Sequence, residues 1–111
     1  MRSAQIVTMI FAMARFTSVE AVDVLNGEAL AFARDKGNCL ACHVIAGGTQ
    51  MGDIGPPLAS MRARFPDRER LSAQVWDAGE FNARSLMPPY GRHGILSAKE
   101  IDAIVDFLYT L

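Results

Sequence analysis

The sequence has no surplus of charge. Its 11 Lys and Arg stand against 12 Asp and Glu, a formal net charge of −1. It shows neither the basic footprint of a nucleic-acid binder nor a polyanionic field, so no nucleic-acid partner is expected. Apolar and polar residues never alternate with period two for long enough to build a sheet. No internal repeat and no low-complexity tract is visible. Beyond the first 21 residues no apolar run is long enough to cross a bilayer, so no membrane span is expected in the mature protein. Cysteine and histidine are scarce, with two of each. A four-ligand zinc site would therefore have to use Cys39, Cys42, His43 and His93 together.

What is present fits one small domain, with half of the 111 residues apolar. A core of that size is thin and usually gains a disulfide, a metal or a cofactor. The start reads differently from the rest. Met1-Arg2-Ser3 is short and positive, residues 4–14 are mostly apolar, and Ala12-Met13-Ala14 and Val19-Glu20-Ala21 are small-residue cleavage patterns. That layout predicts an export signal over 1–21, cleaved after Ala14 or Ala21, and a domain over 22–111 in the periplasm. Arg15, straight after the apolar run, keeps an N-terminal amphipathic helix as the competing reading.

Periodicity predicts three helices. Asn26 can cap the first, over 27–36, with Leu30, Phe32 and Ala33 near its apolar side; Gly37 then marks a stop or a close approach. Asp67 can cap the second, where Leu71, Val75 and Ala78 repeat before Gly79. The third is clearest: Ser97-Ala98-Lys99-Glu100 is a capping box, and Ile101, Ile104, Val105 and Leu108 share one face, broadened by Phe107 and Tyr109. The connections over 44–68 and 79–96 are long for a compact domain unless something fills the middle. An apolar cofactor would.

Cys39-Leu40-Ala41-Cys42-His43 has the spacing that attaches haem c. Two thiols three positions apart can form thioethers with the two vinyl groups of one porphyrin, and the next histidine can turn its imidazole to the iron. Rival readings are weaker: a thioredoxin-like motif needs a βαβ setting, and a disulfide over so short a loop is strained. The pattern thus predicts an all-α, class I cytochrome c-like fold of about three helices and long loops around one covalent haem. The imidazole needs an acceptor for its other ring N–H. In Gly55-Pro56-Pro57-Leu58 the Pro56 carbonyl is the candidate, with Leu58 packing on the porphyrin.

The sixth iron ligand is open to Met51, Met61, Met87 and His93. Met87 is the best placed, because Pro88-Pro89 pins its backbone and keeps that connection out of a helix. Met51 lies close after His43 in a Gly-rich loop, and Met61 reads as a core or helix-start residue. Trp76, Arg62, Arg64, Arg68 and Arg70 could meet haem propionates. A core indole and a solvated face are their commoner roles.

With these residues placed, the chain resembles the SoxX family, the smaller subunits of the SoxAX cytochromes of sulfur-oxidising bacteria. The likeness covers about residues 26–111. It rests on the run 36–43, on Gly52-Asp53-Ile54-Gly55-Pro56-Pro57-Leu58, on Arg64-Phe65-Pro66-Asp67-Arg68, and on Gln74-Val75-Trp76-Asp77. It continues with Met87-Pro88-Pro89-Tyr90-Gly91-Arg92-His93 and the ending 104–109. The resemblance implies a periplasmic heterodimer with a SoxA-like cytochrome subunit, which oxidatively attaches thiosulfate sulfur to a cysteine of the SoxYZ carrier protein. Cys39 and Cys42 would hold the haem, His43 and Met87 would ligate iron, and electrons would leave toward a downstream cytochrome. The catalytic centre would belong to the partner, leaving this chain silent alone. A freestanding periplasmic monohaem carrier is the alternative, although Lys36 and Lys99 are few lysines for electrostatic steering. A cytochrome subunit of an unrelated dehydrogenase is a third reading.

Overall fold

The computed structural model describes residues 19–111; the expected export signal lies almost wholly outside them. Helix α1 (Val19–Phe32) runs through Ala21, the later of the two expected cleavage points. Helices α2 (Met61–Arg64), α3 (Arg68–Trp76) and α4 (Ala98–Leu108) follow, with 3-10 turns at Cys39–Ala41 and Ala78–Glu80. No strand occurs among the described residues. The fold is all-α, as the sequence predicts.

Helix α1 corrects one expectation: Asn26 lies inside the helix rather than capping it. The cause is tertiary. Gly27 is buried where α1 crosses α4, and a Cβ there would run into the Ala103 carbonyl. A helix beginning at Gly27 would put the crossing at its frayed first turn. A continuous helix carries it mid-span, and packing overrides the local capping preference. Phe32 closes the pair edge-on to Phe107, with ring centroids 5.7 Å apart. The helix also ends earlier than 36, because Gly37 N–H and Asn38 N–H turn back to the Leu30 and Ala33 carbonyls, both at 3.0 Å. Gly37 is a close approach: a Cβ would meet the Leu30 carbonyl at 3.0 Å and the Cys39 sulfur at 3.1 Å.

Asp67 caps α3 through Glu69 N–H at 3.0 Å, and Leu71 and Val75 face the core. The helix stops at Trp76, short of Gly79, because Asp77 turns to extended backbone and accepts Gly79 N–H. Helix α2 was not expected; its four residues are too few for periodicity to show, though Met61 does start it and is buried. The capping box of α4 is complete, with reciprocal bonds of 3.0 and 3.1 Å between Ser97 and Glu100. Ile101, Ile104, Val105, Phe107 and Leu108 form the stripe against which the rest of the core packs.

Candidate haem site

Cys39, Cys42 and His43 stand on and just after the short turn that follows α1, and the two long connections bring the other candidates. The Cys39–Ala41 turn is closed by Cys42 N–H and His43 N–H, which both reach the Cys39 carbonyl, at 3.2 and 2.9 Å. The first connection then folds back along it. Gly52, Gly55 and Leu58 N–H groups bond the Leu40, Cys42 and Val44 carbonyls at 2.8, 2.7 and 2.9 Å. This return sets the Pro56 carbonyl 2.6 Å from His43 Nδ1. Proline oxygen can only accept, so Nδ1 carries the proton and Nε2 keeps its lone pair free for a metal. Gly55 lies flat against the imidazole, and a Cβ there would come within 2.7 Å of Nδ1. Any side chain at 55 would push the ring aside. Arg64 holds the same return by donating to the Pro57 carbonyl at 2.8 Å.

Both cysteines are half-buried free thiols. Burial, with a smaller contribution from Cys42, pushes the Cys39 thiol up to about 11, so it is protonated at neutral pH. Among the described residues no three His, Cys, Asp or Glu side chains converge on one metal position.

The four methionine and histidine candidates differ in their surroundings. Met51 sulfur accepts Ile45 N–H at 3.2 Å, within the first connection. Met61 is core, 2% exposed. His93 is exposed, its N–H on the Pro89 carbonyl at 2.9 Å. Met87 packs half-buried against the same core cluster as Cys39, Leu40 and Leu58, and among the described residues its sulfur's hydrogen-bonding neighbour is Gln74 Nε2, at 4.0 Å. Trp76 is 42% exposed, and its carbonyl takes Gly91 and Arg92 N–H. Of the arginines, Arg62 lies over the Tyr109 ring and Arg68 pairs with Asp102 and Asp106.

Tyr90 was missed as a site residue by reading the sequence, since its partner is 53 positions away. Its buried hydroxyl donates to the Gly37 carbonyl and so ties the Met87 connection to the residues just before Cys39. Arg92 on Asp77, at 3.3 Å, pins the same connection to the end of α3. Burial first, and then the Cys39 and Cys42 charges, push the Tyr90 phenol up to about 12 from 10.0. A phenol raised in the fold stabilises fully below pH 10, and that contribution is lost as pH rises to about 12. Tyr90→Phe should cost about 1 kcal/mol at pH 8 through the lost bond. The gap from wild type should close between pH 10 and 12, as read by denaturant titration at each pH. A gap constant with pH would refute it.

The residues fit a covalent haem: two free thiols at attachment spacing, an imidazole held by Nδ1 with Nε2 available, and a lightly engaged thioether. Both connections also leave large apolar side chains exposed, Val44 and Ile54 on the first and Leu86 and Ile95 on the second, surface that an apolar macrocycle could cover.

The family described as "Cytochrome C oxidase, cbb3-type, subunit III" matches residues 22–108, which take in every one of these positions. A protein named "Uncharacterized lipoprotein" from Aquifex aeolicus (strain VF5) is 33% identical over 79 residues, 67% of this chain and 36% of that protein. The chain thus spans little more than a third of that relative's length.

Proposed function

Because the chain belongs to the cytochrome c family described as cytochrome c oxidase, cbb3-type, subunit III, we propose that it holds one covalent haem c and transfers single electrons. The observation that carries this is the His43–Pro56 bond of 2.6 Å beside two free thiols. Cys39 and Cys42 would anchor the group, and His43 Nε2 and Met87 sulfur would ligate its iron. When bound, the haem supplies the centre that takes up and returns one electron. The chain's own residues fix the imidazole and hold the thioether in a pinned loop. With His43 and Met87 both given to iron, no position would be left for a substrate to coordinate, and transfer would be outer-sphere. The holoprotein should keep its haem through acidified denaturing extraction. It should titrate as a one-electron couple and show, when ferric, the weak sulfur-to-iron charge-transfer band, which Met87→Ala abolishes. Extractable haem would overturn the reading.

The finer reading is a SoxX-type subunit, favoured by the runs 64–68 and 87–93. Those runs contain Arg64 and Tyr90, the residues that clamp the first connection and the cysteine turn. On this reading the chain is periplasmic and pairs with a SoxA-like cytochrome. That pair would serve the SoxYZ carrier and pass electrons to a downstream cytochrome. The same electron-transfer assay distinguishes it from a freestanding carrier: thiosulfate should reduce an acceptor only when the SoxA-like subunit and carrier are both added. Turnover by the chain alone would mean an open iron site.

A further inference from the structure

Helix α3 presents two side chains one turn apart to the second connection. Arg70 Nη1 lies 3.0 Å from Gln74 Oε1, and Gln74 Nε2 lies 4.0 Å from Met87 sulfur. Arginine has donors and no acceptor, so Gln74 must turn its oxygen to Arg70, and its amide N–H then faces the sulfur. Arg70 is itself held, with its guanidinium stacked 3.3 Å from the centre of the Phe81 ring and 5.6 Å from that of Phe65. Phe81 stands on the same connection as Met87. The aromatic stack thus fixes the guanidinium, and the guanidinium fixes which way the amide points.

We infer that Gln74, aligned by Arg70, is a positioning residue that donates a weak hydrogen bond to the Met87 sulfur and raises the reduction potential of the iron Met87 ligates. The inference rests on Met87 being the axial ligand. A thioether sulfur has two lone pairs. When one is given to iron, the other can accept the Gln74 N–H, and the bond draws density away from the metal. Ferric iron, the more electron-poor state, loses more by this than ferrous iron. The Arg70 charge beyond the amide acts in the same direction, because it disfavours the state with the higher positive charge. The sulfur is a poor acceptor and the contact is long, so the effect is one of tuning rather than of holding the ligand.

The test uses haem-loaded full-length protein carrying Gln74→Leu or Gln74→Glu, with the charge-transfer band and the one-electron potential as readouts. Gln74→Leu should keep the band and shift the ferrous-to-ferric ratio at fixed potential two- to tenfold toward ferric, where tenfold corresponds to about 59 mV for one electron. Gln74→Glu keeps the side-chain size and the Arg70 partner but presents oxygen to the sulfur, and should shift the ratio further the same way. Unchanged potentials in both variants would overturn the inference. So would loss of the band in Gln74→Leu, which would make Gln74 a structural prop for Met87. Failure of the underlying reading looks different: the wild type would lack the band, or keep it in Met87→Ala.

Discussion

Replacing Cys39 and Cys42 together by alanine should leave a chain with no covalently held haem and no cooperative unfolding transition. On the proposed reading Cys39 and Cys42, at the start and the cap of the turn that precedes His43, would each anchor the haem. The helices alone enclose a small core drawn mainly from α4, α3 and the end of α1. Both long connections expose apolar side chains, Ile54 at 68% and Leu86 at 81% among them. A domain this small has a margin of only about 5–15 kcal/mol even when complete, and losing the cofactor contacts takes most of it. Haem staining after denaturing electrophoresis and the far-ultraviolet dichroism melt read the two effects separately. Stain on the double variant would end the covalent reading.

Gly27→Val should destabilise the fold strongly although it touches none of the residues proposed to hold haem. In an isolated helix it would gain a few tenths of a kcal/mol, since glycine is a poor helix former. Here the new Cβ meets the Ala103 carbonyl, which is backbone and cannot swing away. Forcing α1 off α4 costs about 3 kcal/mol, an order larger than the propensity gain. The melting temperature should fall by roughly 12 °C or more. A variant as stable as wild type would show that the crossing is not close. Gly27→Ala probes the same clash with the smallest side chain and should also destabilise.

That glycine shows where sequence reading works and where it stops. The capping box at Ser97 and Glu100 and the Asp67 cap are local chemistry, decided within four residues, and both read correctly. Asn26-Gly27 looks like local chemistry too, but its reason is a carbonyl on another helix, so the first helix was started too late. The proline carbonyl for His43 could be named because proline chemistry restricts what the Gly55–Leu58 segment can offer. Tyr90, Gln74 and Arg64 stand in runs that carry the family resemblance, but nothing in their local sequence tells what each side chain holds. Their meaning comes from partners at Gly37, Met87 and Pro57, brought near by the folded connections. Helix α2 escaped because one turn has no period.

The pairing of α1 with α4 also sets a timetable. Joining them closes a loop of about 65 residues, at an entropy cost on the order of 4 kcal/mol, so it follows the local turns rather than preceding them. Until α4 has docked, Gly27 has nothing to cross, Phe32 lacks Phe107, and Lys36 lacks Glu100, its partner at 3.0 Å. During that interval Cys39 and Cys42 sit on an open strand of polypeptide. There the Cys39 thiol ionises near its ordinary 9.0 instead of about 11. Folding thus draws the Cys39 thiol away from its thiolate, and on the proposed reading the open chain would be the better nucleophile toward a haem vinyl group.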